Sequence, residues 1–253
     1  MMLEVKGLTR FFGGVAAVQD VSFRVREGDV HAVIGPNGAG KTTLFNLISG
    51  VYAPSEGDIL LDRKPIGGMA PEQLARRGVS RSFQNLQVCM NMTARENVML
   101  GAHLRQRAGL LAGLMGWTRA ADRRLARDAL AWMEMAGVGE YREHHASQLS
   151  FGALKRLEIA RALAGEPRLL LLDEPAAGLN DSETAELTRL IRRIAGTGIT
   201  ILLVEHDMRL VMEISDRILV LDHGRRLAEG SAQEIRADEK VIQAYLGAAS
   251  HAE

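Results

Sequence analysis

Only one cysteine, Cys89, stands in the 253 residues, so no intrachain disulfide can form and a reducing cytosol is the expected setting. Nothing around Cys89 supplies an activating base, which argues against a catalytic thiol. An excess of charge is absent as well, because Lys+Arg and Asp+Glu both number 31. A nucleic-acid binder usually carries a basic surplus, so nucleic acid is not expected as a partner. Arg119, Arg123, Arg124 and Arg127 fit a solvated helix face better than a phosphate track. Long apolar runs are missing too. Residues 1–6 lack the apolar core of a signal peptide, and the apolar, glycine-rich stretch 108–117 is too short to span a bilayer. Work at a membrane is therefore expected to need another chain to hold this one there. The length allows a sizeable core in one or two domains.

What is present centres on Gly35-Pro36-Asn37-Gly38-Ala39-Gly40-Lys41-Thr42, which fits G-x-x-x-x-G-K-[ST] at every fixed position. Glycines let the backbone turn tightly enough for successive N–H groups to converge on an anion. Lys41 adds a charge for the β- and γ-phosphates, and the Thr42 hydroxyl can ligate Mg²⁺. An apolar strand (Val30, Ala32, Val33, Ile34) enters the loop, and a helix over 42–49 with Gly50 at its C-terminal cap leaves it. The positive end of that helix faces the phosphates. The pattern implies binding of a nucleoside triphosphate.

Around it, two kinds of strand pattern appear. Leu3, Val5 and Gly7 alternate with Glu4 and Lys6, and Val21, Phe23 and Val25 alternate with Ser22, Arg24 and Arg26. Period two with one polar face predicts antiparallel strands, with a turn at Glu27-Gly28-Asp29 and a further strand at Ile59-Leu60-Leu61-Asp62. Leu169-Leu170-Leu171-Leu172, the run from Ile199 to Val204, and Ile218-Leu219-Val220-Leu221 are unbroken apolar runs instead. They predict a parallel sheet covered on both faces, with a helix over 182–194 between two of them and a hairpin turn at His223-Gly224. Residues 92–141 show no strand pattern. Thr118 can cap a helix there that buries Leu125, Ala129, Trp132, Met133 and Ala136 and closes at Gly137, so a helical insert is expected.

Two acids follow the first apolar run. Asp173 is expected to hold Mg²⁺ and Glu174 to polarise an attacking water. A third motif, Leu149-Ser150-Phe151-Gly152-Ala153, precedes a helix with Leu154, Leu157 and Ala160 on one face. A Ser hydroxyl, glycine N–H groups and a helix N-terminus again suit a phosphate.

The order of these motifs resembles the ATP-binding cassette family, the motor subunits of transporters, over nearly the whole chain. The resemblance implies an α/β P-loop NTPase fold, RecA-like, with a parallel core, an antiparallel β subdomain and an inserted α-helical subdomain. It is one cassette over 1–253: core 1–84 and 151–230, helical subdomain 85–150 ending in the signature, and a helical extension 231–253. It implies catalytic roles for Glu174, His206 and Gln84, and Mg²⁺ contacts from Thr42, Gln84 and Asp173. Phe12 falls where an aromatic stacks on adenine, and Val18 is expected on the same face. Thr43 joins the loop residues as an ATP contact. Ser150, Phe151, Gly152, Ala153 and Asn180 are expected to face the nucleotide of a second cassette. The implied ligands are ATP and Mg²⁺. The implied partners are that second cassette, alike or different, transmembrane permeases and, through them, a substrate-binding protein. The implied location is the inner face of the plasma membrane.

Phe83-Gln84-Asn85, the insert, the run from Lys155 to Leu163 and the ending from Val241 to Gly247 are similar to importer ATPases for branched-chain amino acids. A lipid or lipopolysaccharide exporter ATPase and a non-transport cassette are the alternatives. Two positions depart from the general pattern: Ala153 lacks the usual polar side chain beside the partner's nucleotide, and Asn180 stands for Asp. The run from Val88 to Met92 suits either a groove for a membrane subunit or core packing.

Overall fold

The computed structural model describes residues 1–82, 86–102 and 118–249. The alternation near the N-terminus folds as β1 (Leu3–Phe12) and β2 (Val15–Val25), paired antiparallel with Val5 opposite Phe23. β4 (Glu56–Leu61) pairs with β1 and β5 (Lys64–Pro65) with β4, giving a four-stranded sheet in the order β2-β1-β4-β5. One face of β1 and β2 is apolar, and Leu3, Val5, Leu8, Val21, Phe23 and Val25 are all buried.

The second sheet runs β10-β9-β3-β8-β7-β6. Its members are β3 (Val30–Ile34), β6 (Val79–Arg81), β7 (Leu169–Asp173), β8 (Thr200–Val204), β9 (Arg217–Asp222) and β10 (Arg225–Gly230). All pairs are parallel except β9 with β10. The unbroken apolar runs have a direct cause, since each strand feeds two cores. Leu169 and Leu171 pack beneath the antiparallel sheet with Phe45 and Leu44, whereas Leu170 and Leu172 pack against the helices on the other side. Ile218 and Val220 join Ala32 and Ile34 in a third cluster under the C-terminal helices. Strands apolar on both faces lose alternation. The β9–β10 turn has positive φ at both His223 and Gly224, the conformation a two-residue hairpin needs.

α1 (Lys41–Ile48) follows β3 and α2 (Pro71–Ala75) precedes β6. The helical layer comprises α3 (Ala94–Gly101), α4 (Thr118–Met135) and α5 (Phe151–Leu163). Thr93 starts α3 with a capping box: its hydroxyl accepts from Glu96 N–H, and the Glu96 carboxylate accepts from Thr93 N–H. Val98, Ala129, Met133 and Leu157 bury these helices against one another. At the α3–α5 crossing a Cβ on Gly101 would lie 2.0 Å from the Arg161 carbonyl, so only glycine permits the approach. α5 also packs on the sheet, because its Ile159 and Leu163 and its C-cap Ala164 lie in the cluster that holds Leu170 and Leu172. α6 (Asp181–Ala195), α7 (Met208–Ile214), α8 (Ala232–Ala237) and α9 (Glu239–Ala249) complete the chain.

Candidate functional site

β3 delivers the chain into the glycine-rich loop, and the loop is shaped by close backbone approaches. A Cβ on Gly35 would lie 2.1 Å from the Leu221 carbonyl, and one on Gly40 would lie 2.5 Å from the Ala17 carbonyl. Both glycines have positive φ. Ala39 is buried, and its carbonyl accepts from Gly224 N–H at 3.1 Å, so the β9–β10 hairpin braces the loop from outside. Pro36 is half-buried, while Asn37 and Gly38 stay exposed at the tip. Lys41 donates from Nζ to the carbonyls of Gly35 at 2.7 Å and Pro36 at 2.9 Å. Burial lowers its pKa, and the nearby Glu174 carboxylate partly opposes that shift. Thr42 is exposed and Thr43 half-buried on the first turn of α1.

The end of β7 sets Asp173 in the interior and Glu174 at its rim. Arg81 donates to Asp173 Oδ2 at 2.7 Å. Glu174 has a positive φ of 48°, and its N–H donates to the Val204 carbonyl, which turns its side chain to face the segment after β8. His206 Nε2 lies 2.9 Å from Glu174 Oε1, with the imidazole about half exposed and the carboxylate largely covered. Asp173, Glu174, His206 and Lys41 therefore converge at the carboxyl ends of β3, β7 and β8, where α/β sheets bind ligands.

Sequence reasoning missed three residues. Glu205 is buried and accepts backbone N–H bonds from Ala176 at 2.6 Å, His206 at 2.8 Å and Asp207 at 3.3 Å. It ties the segment after Glu174 to the one carrying His206. Burial pushes its pKa up, against the N–H bonds and with the neighbouring Glu174 charge. The acidic neighbour of His206 was visible, but one of the partners it gathers, Ala176, is 29 positions away in the chain. Tyr245 on α9 faces the backbone of Gly35, and burial moves its phenol up to about 12 against the opposing pull of that backbone. Arg81 carried no motif at all.

Ser150 caps α5, its hydroxyl oxygen accepting from Ala153 N–H at 3.3 Å. Phe151 is exposed, and a Cβ on Gly178 would meet its ring at 3.0 Å. Gly152 is buried against the Glu183 carboxylate, which would clash with any Cβ there at 2.4 Å. Asn180 caps α6 by accepting from Glu183 N–H at 3.0 Å, so Asn performs the cap as well as Asp. Position 153 differs from what the resemblance implied. Ala153 is 1% exposed and turned into the helical core, so its side chain is not presented to a partner. As third residue of α5 it faces inward, and only its backbone serves the N-terminus.

Phe12 is 40% exposed at the end of β1, edge-on to Tyr52 at 5.2 Å, with the Arg10 guanidinium 4.8 Å from its ring. Val18 does not share that open face. It is buried under the loop, its Cγ2 3.5 Å from where a Cβ on Gly40 would stand. Gln84 lies outside the described residues.

The donor set suits a small hard cation with phosphate oxygens. Thr42 supplies a hydroxyl and Asp173 a carboxylate oxygen, both hard ligands. No group of three His, Cys, Asp or Glu side chains fit to hold a metal occurs among the described residues. Such an ion would take its remaining ligands from phosphate and water, the usual habit of Mg²⁺.

A family model described as ABC transporter matches residues 18–177, and one for branched-chain amino acid ATP-binding cassette transporters matches residues 225–251. The high-affinity branched-chain amino acid transport ATP-binding protein LivG of Salmonella typhimurium is 46% identical over 252 residues, 98% of each chain. A solved ADP conformation of an ATP-binding cassette of an ABC transporter is 30% identical, with TM-score 0.85 over 97% of this chain and 98% of that one. A dimeric post-hydrolysis cassette bound to ADP and Pi is 26% identical, with TM-score 0.77 over 91% of this chain and 99% of that one.

Proposed function

The chain belongs to the ATP-binding cassette transporter family, and from that premise we propose that it is the ATP-hydrolysing motor subunit of an importer for branched-chain or related amino acids. The observation that carries the hydrolytic reading is the Glu174–His206 contact at 2.9 Å, beside Lys41 and Asp173 at the mouth of the loop. The identity with LivG and the match of residues 225–251 support the amino-acid part.

In this reading the loop N–H groups and Lys41 hold the triphosphate, Lys41 exchanging its two loop carbonyls for phosphate oxygens. Thr42 and Asp173 hold Mg²⁺, which when bound offsets charge on the phosphate oxygens. Glu174 orients the attacking water and accepts its proton, while His206 steadies the Glu174 carboxylate. Gln84 is assigned to the metal and the water. Phe12, 40% exposed, stacks on the base. Ser150, Phe151, Gly152 and Asn180 of a second cassette close over the phosphates, as the dimeric relative supports. Transmembrane permeases then receive the motion, at the inner face of the plasma membrane, and a substrate-binding protein acts through them. No helix among the described residues is long and apolar enough to cross a membrane, so the permeases supply the anchor.

The test is uptake of labelled leucine, isoleucine and valine by cells lacking this gene. Uptake falls, wild-type protein restores it, and Lys41→Ala does not. Unchanged uptake together with lost lipid export would overturn the reading.

A further inference from the structure

Arg81 ends β6, the edge strand of the six-stranded sheet, in register with β7, whose last residue is Asp173. The pair is almost sealed from solvent, with the Arg81 side chain 9% exposed and Asp173 4%. The guanidinium uses its two arms differently. Nη2 donates to Asp173 Oδ2 at 2.7 Å, while Nη1 donates to Asn46 Oδ1 at 2.7 Å and Ser49 Oγ at 2.6 Å. Asn46 lies in the last turn of α1 and Ser49 is its C-cap, and the guanidinium carbon sits 5.9 Å from the Phe45 ring. α1 has no basic residue of its own in that turn, so Arg81 supplies the cation that its C-terminal dipole favours.

A guanidinium is a rigid planar fork. With one arm pinned to α1, the other meets a single oxygen of Asp173 and leaves Oδ1 to another ligand. We propose that Arg81 is a positioning residue for the metal-dependent step. It fixes Asp173 by one oxygen, turns the other toward the cation, and joins this aspartate to the helix that carries Thr42 at its opposite end. The inference rests on the hydrolytic reading above. A cation beside a metal ligand also repels the metal. That repulsion is blunted here because the charge is delocalised and shared with Asp173 and the α1 terminus. Removing the fork frees a buried carboxylate to rotate, and loss of such an outer partner typically costs about 10–100-fold in metal affinity. Orientation therefore outweighs repulsion.

The test uses the full chain with Arg81→Met, Arg81→Lys and Asp173→Asn, and a fluorescent ATP analogue as probe. Binding is titrated first in EDTA and then against Mg²⁺. Arg81→Met is expected to bind the analogue in EDTA as wild type does, yet to need about 10–100-fold more Mg²⁺ for half-maximal metal-dependent binding. Arg81→Lys restores the charge without the fork and recovers part of the shift. Adding Arg81→Met to Asp173→Asn produces little further shift, because both act through one carboxylate. A Mg²⁺ requirement within twofold of wild type in both Arg81 variants, while Asp173→Asn is shifted, overturns the proposal. Should Arg81→Met not fold by circular dichroism, Arg81→Lys alone decides, and an unshifted Arg81→Lys overturns it. Absence of analogue binding by the wild type in either medium removes the ATPase reading itself, and this inference with it.

Discussion

Glu174→Gln separates binding from chemistry. Gln matches Glu closely in shape, so the positive φ of 48° at this position is no harder for it to adopt. The contact with His206 at 2.9 Å also survives, since an imidazole nitrogen can donate to the amide oxygen or accept from its NH₂. What disappears is the negative charge and the basicity facing the water. A positioned general base contributes about 10²–10⁴-fold, equivalent to roughly 3–5 kcal/mol on the barrier. Lys41 loses the small upward pull of that charge but keeps both carbonyl partners, so nucleotide affinity should change little. Hydrolysis would then stall with two cassettes closed on ATP. Phosphate release measures the rate, and size-exclusion chromatography with ATP and Mg²⁺ measures the dimer. Hydrolysis at the wild-type rate would refute the role given to Glu174. A dead variant that stays monomeric would count against stable closure by the isolated subunit.

The phosphate loop was legible because its residue types are fixed at a fixed local spacing: Gly35, Gly38 and Gly40 all have positive φ, although the backbones that crowd Gly35 and Gly40 come from Leu221 and Ala17, far along the chain. The parallel strands were legible through their lost alternation, and the hairpin at His223-Gly224 through its residue types. β6 was not, because three residues over 79–81 with Arg81 at the end carry no apolar run, and only pairing with β7 makes them a strand. Glu205 and Tyr245 escaped for a related reason. Each acts on backbone brought near by the fold, Ala176 for one and Gly35 for the other, and backbone groups leave no trace in residue identity. The resemblance placed Val18 and Ala153 at the nucleotide, but the direction of a side chain is set by packing. Val18 closes the core under Gly40, and Ala153 closes the core under α5.

Three further variants test this account. Phe12→Ala removes an exposed ring and should leave stability nearly intact while weakening ATP binding by about 1–3 kcal/mol, the usual order for base stacking; unchanged affinity by calorimetry would show that another group holds the base. Ala153→Gln puts a long polar side chain into a buried site, so we expect a loss of about 1–3 kcal/mol in chemical denaturation rather than stronger dimerisation, and an unaltered midpoint with increased hydrolysis would reverse that judgement. His31→Leu concerns pH. His31 is fully buried in β3, its two ring nitrogens have no hydrogen-bond partner among the described residues, and burial, then the Arg217 charge, lower its pKa to about 4. The unfolded chain binds the proton near the ordinary histidine value of 6.5, so it holds more protons than the folded one between the two values. Stability contributed by neutral His31 is therefore complete above about pH 6.5 and drains away as pH falls toward 4, by roughly 3 kcal/mol in all. Leucine does not titrate, so the variant should match or exceed wild-type stability at pH 7.5 and gain on it steadily down to pH 4.5. The measurement is urea denaturation of both proteins across that range. Parallel stability curves would mean that His31 takes up its proton in the fold at the same pH as in the unfolded chain, and that water or a polar partner reaches a ring this sheet otherwise seals.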